Sequence, residues 1–368
     1  MPDDYIGLIS GTSMDGIDAV LATIADDAFE LRETHVHAYP AELRDALRSL
    51  ITKPDACGLD RLGALDRWVG ECFRDAALAL IEKSGISAAD IVAIGSHGQT
   101  LRHQPDGLRP FSLQVGDPTT IAAGTAITTV ADFRRADIVA GGQGAPLVPP
   151  FHEWLFRAPG KHRVVLNLGG IANVTVLPGD AAPITGFDTG PGNTLLDAWI
   201  GTRRSLQYDE NGQWAAAGSV ADDLLDALVN DEYFNAPPPK STGFEHFNLE
   251  WLSGFGVDKH DPCDVQATLS ELTAISVAAA IERYAPATRE TYVCGGGVHN
   301  HDLMQRLRRR LSKSAVESTQ AVGLDPDWVE AAAFAWLAMR TIRKKTGNLP
   351  SVTGASHKVI LGAIHYAS

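Results

Sequence analysis

The sequence predicts an α/β protein built as two lobes, and three observations carry that expectation. Short apolar runs rich in β-branched residues alternate with stretches whose apolar positions recur every three or four residues. The order strand, glycine turn, strand, helix, strand ending on glycines occurs once in each half of the chain. A length of 368 residues is more than one ordinary core holds and comfortable for two.

In the first half, the apolar run Ile6–Ile9 stops at Gly11 and Ala19–Ile24 resumes after a polar turn, which reads as a hairpin. Leu62, Leu65, Val69, Cys72, Ala76 and Leu80 then form one face of an amphipathic helix. Ile91–Gly95 is a buried strand that ends in Ser96-His97-Gly98. In the second half, Val164–Leu168, the turn Gly169-Gly170 and Asn173–Leu177 make the matching hairpin. Val265, Leu269, Leu272 and Ile275 mark a helix, and the strand Thr291–Cys294 closes on Gly295, Gly296 and Gly297. The architecture is repeated while the residues are not. A last helix carries Trp328, Ala332, Ala335, Met339 and Ile342 on one face, and the apolar tail Val359–Ile364 is expected to dock back on the first lobe. The polar, glycine-rich stretch 132–146 fits a hinge or a cleft lining. It sets the expected lobes at 1–131 with 347–368 and at 132–346.

Composition narrows the function classes. Lys plus Arg is 31 against 45 Asp plus Glu, a net charge of −14, which argues against nucleic acid as the main partner. A small anion held by a few focused donors remains compatible with that charge. No apolar run approaches the ~20 residues of a membrane span, and the acidic start Met1–Asp4 lacks the pattern of an export leader. Cys57, Cys72, Cys263 and Cys294 form no C-x-x-C pair, so free thiols in a reducing cytoplasm are expected.

Several turns are candidates for chemistry. Ser10–Asp18 contains two glycines and three hydroxyls between strands; it is either a nest of N–H groups for phosphate or an ordinary Asp-Gly hairpin turn. Asp15 or Asp18 would then meet Mg²⁺. The motif is no Walker A loop, because Ile17-Asp18 stands where Lys-Ser/Thr belongs. Gly169-Gly170 is its counterpart. Lys240, after three prolines, is either a point charge for phosphate or a solvated lysine. Gly295, Gly296 and Gly297 would let adenine or ribose approach the backbone, or simply turn the chain. Asp188, between a strand and a helix opening at Asn193, is a candidate general base kept ionised by the helix N-terminus, or merely a capping residue. His97 sits just past a strand end, where ligand contacts collect, and equally suits a structural role. No histidine spacing points to zinc.

In order along the chain stand GTSMDGID (11–18), GSHGQT (95–100), LQVGD (113–117), DFRRADIVAGGQGAPLVP (132–149), LNLGGIAN (166–173) and GFDTGPGN (186–193). APPPKSTGFEHFN (236–248), DVQATLSELTA (264–274), CGGGVHN (294–300), EAAAFAWLA (330–338) and NLPSVTGAS (348–356) follow. This series resembles the anhydro-N-acetylmuramic acid kinase family, from about residue 5 to about residue 365. The resemblance implies two RNase H-like (actin-like) lobes with an ATP cleft between them. It implies an ATP- and Mg²⁺-dependent reaction that opens 1,6-anhydro-N-acetylmuramic acid with water and phosphorylates O6 in bacterial cell-wall recycling. Gly11, Thr12, Ser13, Met14, Asp15, Gly16, Ile17 and Asp18 would bind the ATP phosphates, and Asp188 would be the base. Arg134 and Arg135 would receive the acidic sugar, with His97, Gln143 and Glu330 lining the same pocket. The resemblance also implies a cytoplasmic homodimer. A conventional amino-sugar kinase and an ATP-binding actin-like scaffold are the alternatives.

Overall fold

A computed structural model gives the fold and describes residues 2–11, 14, 16–52 and 58–367. Thr12, Ser13, Asp15 and Cys57, named above, lie outside the described residues. The strands are β1 (Asp3–Ile9), β2 (Gly16–Ile24), β3 (Phe29–Ala38), β4 (Ile91–Ser96), β5 (Gln99–Gln104), β6 (Phe111–Val115) and β7 (Thr129–Ala131). They continue with β8 (Arg163–Leu168), β9 (Ile171–Leu177), β10 (Thr185–Pro191), β11 (Glu290–Cys294), β12 (Ala315–Ser318) and β13 (Ala363–His365).

The chain divides into two compact units, Met1–Leu155 with Trp328–Ser368, and Phe156–Asp327. The sheet of the first runs β13-β7-β4-β1-β2-β3, and that of the second β10-β9-β8-β11-β12. In each, three antiparallel strands are followed by two that run parallel to the first: β1-β2-β3 then β4 and β7, β8-β9-β10 then β11 and β12. This 3-2-1-4-5 order is the RNase H-like arrangement, and the expected α/β class is found in both units. The tail docks as expected: β13 pairs antiparallel with β7.

One face of the first sheet packs Ile6, Leu8, Ile17 and Leu21 against Leu65, Val69, Phe73 and Leu80 of the helix Leu59–Ser84. That helix stops at Gly85, whose φ of 69° and N–H to the Ile81 carbonyl form a left-handed cap. The helix Val329–Ile342 packs against the same sheet, in backbone contact. Gly7 and Gly95 are register partners on β1 and β4. A Cβ on Gly7 would overlap the Ala331 carbonyl oxygen, and one on Gly95 the Phe334 carbonyl oxygen. The paired glycines make a groove for the helix backbone, and Ala331, Ala335 and Ala338 let it settle there. In the second unit Val164, Leu166, Val174 and Phe187 pack on Val277 and Ile281 of the helix Pro262–Tyr284.

The glycine groove moves the expected boundary. The last helix follows residues of the second unit in sequence, yet its seat is on β1 and β4, so the first unit begins again at Trp328 rather than at 347. The stretch 132–146 also belongs to the first unit. Asp137, fully buried, accepts from Asn348 Nδ2 (2.7 Å) and Thr353 Oγ1 (2.8 Å) with one oxygen and from Gly144 N–H (2.8 Å) with the other. The glycine-rich segment is thereby tied to the C-terminal residues of its own unit.

Two glycines of opposite character test this packing. Gly95→Ala should cost about 3 kcal/mol, the upper end of overpacking penalties, because backbone cannot move aside as a side chain can. Gly63→Ala, inside an exposed helical stretch with nothing within 4 Å of the added Cβ, should stabilise, by roughly 0.5–1 kcal/mol. Urea melts of the two variants check both signs.

Candidate active site

The turn between β1 and β2 is held from below. Met14, with φ 57°, buries its side chain in the core, and its N–H meets the Gly11 carbonyl at 3.2 Å. Ile17 is also in the core. Gly16 is required for space, since a Cβ there would lie 2.7 Å from the His37 carbonyl oxygen. Met14 and Ile17 therefore have only backbone to offer a ligand. Gln99, buried, accepts from Ser10 Oγ (2.7 Å), and its Nε2 reaches the Gly11 carbonyl (3.4 Å). Its place two residues after His97 in the Gly95–Thr100 motif was the available signal.

Asp18, His97, Arg134 and Glu330 interact as one group. Arg134 Nη2 donates to His97 Nε2 (2.8 Å) and Nη1 to the Gly144 carbonyl (2.9 Å). Its Nε is buried with no hydrogen-bond partner among the described residues. Burial and the adjacent guanidinium push the His97 pKa well below 6.5, so the ring is neutral and accepts the Arg134 proton. Phe334 stands 4.8 Å from the His97 ring and 5.5 Å from Phe133, wedging the helix Val329–Ile342 against this corner. Glu330 opens the same helix; water reaches it, yet protein crowds it. Desolvation and the Asp18 carboxylate raise its pKa, and Arg134 lowers it.

Arg135 stands apart from this group. It pairs with Asp132 (3.4 Å) and is largely exposed, because successive residues at the start of the helix Arg135–Val139 point in different directions. Gln143 gives its backbone N–H to the Thr353 carbonyl (2.8 Å).

In the second unit Asp188 lies inside β10, at a bulge where Asp188 pairs with Asn173 and Gly190 already pairs with Ala172. Gly190 has φ 149°, and a Cβ there would lie 2.7 Å from Phe234. Asp188 Oδ2 accepts from Thr242 N–H at 3.0 Å. Burial pushes the carboxyl up to about 6; the Thr242 N–H opposes this, Glu245 adds to it and Lys240 pulls down. The expected helix N-terminus does not supply these donors. The N–H groups of Gly192 and Thr194 go to the Gly170 carbonyl (2.8 and 3.1 Å), and that of Asn193 to the Gly169 carbonyl (2.9 Å). The start of the helix Thr194–Arg204 thus grips the Gly169-Gly170 turn, and the base candidate is tuned by desolvation.

Lys240 does not extend toward solvent. Its Nζ donates to the Tyr233 carbonyl (2.9 Å) and the Phe234 carbonyl (3.5 Å) and lies 4.4 Å from the Tyr233 ring centroid. Of the closing triplet, Gly295 (φ 81°) and Gly297 are pressed against β8, whereas Gly296 has nothing within 4 Å of a Cβ. Only Gly296 leaves open room for a flat ligand. Among the described residues no three His, Cys, Asp or Glu side chains gather for a metal, and no helix is long and apolar enough to cross a membrane. Among the described residues Cys72, Cys263 and Cys294 are in no disulfide, and Cys263 is only half-buried.

This geometry can be set beside known proteins. A family model described as anhydro-N-acetylmuramic acid kinase matches residues 3–367. An anhydro-N-acetylmuramic acid kinase of Coxiella burnetii (strain Dugway 5J108-111) is 52% identical over 100% of this chain and 98% of its own length. One from Shewanella halifaxensis is 50% identical over 99% and 98%. Among solved structures, component A of Acidaminococcus fermentans (R)-2-hydroxyglutaryl-CoA dehydratase covers 90% of this chain and 96% of its own, with 10% identity and a TM-score of 0.48. On its full-length sequence match, this chain belongs to the anhydro-N-acetylmuramic acid kinase family.

Proposed function

We propose that the chain transfers the γ-phosphoryl group of ATP to O6 of 1,6-anhydro-N-acetylmuramic acid while water opens the anhydro bridge. The products are N-acetylmuramic acid 6-phosphate and ADP, in bacterial cell-wall recycling. The observation that carries the reading is Asp188: a carboxyl with one oxygen held by an N–H and a pKa near 6 suits a general base at neutral pH.

In this mechanism Asp188 takes a proton from water as the water oxygen bonds to C1. The C1–O6 bond breaks, and O6 receives the γ-phosphoryl group as the bond to the β-phosphate oxygen breaks. Attack from the face opposite the bridge parallels inverting glycoside hydrolysis, with phosphoryl transfer replacing the second carboxylic acid. Among the described residues of the first turn, the backbone of Gly11 and Gly16 is assigned to ATP phosphate, Gly169-Gly170 is the phosphate turn of the second unit, and Gly296 admits the adenosine. Arg134, whose buried Nε has no hydrogen-bond partner among the described residues, receives the lactyl carboxylate; neutral His97 holds the guanidinium in place, and Glu330 and Gln143 line the sugar. Arg135, named with Arg134 for the acidic sugar, is largely exposed and pairs with Asp132, apart from the His97 group.

Mg²⁺ fits the residues present. The carboxylates of Asp18 and Glu330 oppose one another electrostatically, and a cation that keeps most of its waters needs only one or two carboxylates. Asp18 would hold it, with Glu330 beside it, and bound there it neutralises charge on the phosphates. Asp15, the other carboxylate named for this role, lies outside the described residues. A cytoplasmic homodimer belongs to the same reading.

Four outcomes are expected. With ¹⁸O-labelled water the label should appear at C1 of the product; unlabelled product would leave an ordinary hydroxyl kinase. Asp188→Asn should bind both substrates and lose kcat by about 10²–10⁴-fold, the range of general-base catalysis. For the native chain, kcat/KM should fall about tenfold per pH unit below an acidic limb at about 6. The same shift fixes a stability sign. A carboxyl raised from 3.8 to about 6 on folding destabilises the fold as pH rises through that window. Asp188→Asn should therefore melt higher at pH 8, by an amount on the order of 2 kcal/mol, and lose that advantage below about pH 4. Thermal melts at the two pH values read it directly.

A further inference from the structure

We infer that Lys240 serves the general base rather than the nucleotide: together with Tyr233 it is a positioning residue that fixes the Asp188 main chain and charge. The inference rests on the reading of Asp188 as the base. The geometry is a closed ring of hydrogen bonds. Lys240 Nζ donates to the Tyr233 carbonyl (2.9 Å), Tyr233 OH donates to the Asp188 carbonyl (2.8 Å), and Asp188 N–H donates back to the Lys240 carbonyl (3.1 Å). Thr242, two residues further on, gives its N–H to Asp188 Oδ2 (3.0 Å). The main chain of Asp188 is thus held through both its N–H and its C=O, and its side chain through one oxygen, all by residues 233–242.

That segment is anchored at both ends. The Asp231 carboxylate accepts from Tyr233 N–H (2.9 Å), Trp251 Nε1 (2.9 Å) and His246 Nε2 (3.3 Å). His246 stacks on Phe247 at 4.3 Å, and Phe234 lies 5.6 Å from Phe247 while filling the space against Gly190. A lysine that grips phosphate as a point charge needs free ammonium donors. Here carbonyls take two of the three ammonium donors, the Tyr233 carbonyl at 2.9 Å and the Phe234 carbonyl at 3.5 Å, and the Tyr233 ring lies alongside, so the group is turned toward its own segment.

Lys240 and Tyr233 belong to the ring, and the other ionisable groups that act on it among the described residues are Glu245, just beyond the segment, and Arg283 of the helix Pro262–Tyr284. β9 contributes Asn173, which is neutral. Lys240 stabilises the Asp188 anion and Glu245 opposes it. Removing either charge must move the ionisation of the base, in opposite directions.

The test uses the full chain, measuring ADP release on 1,6-anhydro-N-acetylmuramic acid from about pH 5 to pH 9. Lys240→Met keeps the stem and loses the charge. It should lower kcat by about 10- to 100-fold, the cost of a misplaced reacting group. It should move the acidic limb of kcat/KM upward and leave KM for ATP within about 2-fold. Glu245→Gln should move the limb downward. Tyr233→Phe, which deletes a neutral donor, should lower kcat with the limb in place, and Lys240→Arg should restore the limb. A rise in KM for ATP of about 10-fold with an unmoved limb would make Lys240 a phosphate ligand and overturn the inference. Native kinetics in Lys240→Met would overturn it equally, as a surface lysine. Should Lys240→Met fail to fold, Glu245→Gln and Tyr233→Phe still decide: an unmoved limb in the first and native kcat in the second refute the ring. Asp188→Asn run alongside separates the two levels. If it stays active the base assignment itself fails; if it is inactive while Lys240→Met shows only the ATP effect, this inference alone fails.

Discussion

The contact on which the rest depends is the seat of the helix Val329–Ile342 on the paired glycines Gly7 and Gly95. Backbone meets backbone there, so neither side can adjust by changing a rotamer. The helix reaches the first sheet from the far end of the chain and carries Glu330 in its first turn. Phe334, four residues on, sits between His97 and Phe133 and so fixes the corner from which Arg134 projects. A larger residue at either glycine would lift the helix and displace acid, histidine and guanidinium together. Core packing and site geometry are one constraint in this unit.

The second unit meets a different difficulty. A carboxylate inside a strand is costly to bury, and Asp188 is only partly compensated by one N–H. The nearby helix N-terminus could have lowered that cost, but its amides are committed to the Gly169-Gly170 turn. The result is a carboxyl pushed up to about 6, the direction in which a base for water activation is tuned. The bulge at Asp188, the left-handed Gly190 and the proline-rich segment pinned by Asp231 are what hold so unfavourable a group in one place.

Much of this was legible in the residues. The two hairpins, the helix faces and the returning tail followed from periodicity and glycine placement, since apolar stripes at steps of three and four must find a core. β3 escaped notice because its half-exposed residues alternate too weakly to register as a strand. Arg134 and Arg135 look equivalent as neighbours in sequence, yet one helical step turns the second toward Asp132. Lys240 read as a reaching cation because sequence shows its charge and hides the carbonyls that take it up. Asp137 carried no signal of its own, being a single polar residue whose side-chain partners lie far away in the chain, and Gln99 had only its place in the Gly95–Thr100 motif.

By itself the sequence determined the α/β class, the two-fold repetition of strand, turn and helix, and the family, because local periodicity and ordered motifs are properties of the chain alone. Tertiary structure alone decided which unit owns the last helix, which arginine is buried against His97 and what raises the pKa of Asp188. Those outcomes hinge on desolvation and on hydrogen bonds between residues distant in sequence, and neither quantity exists until the chain has folded.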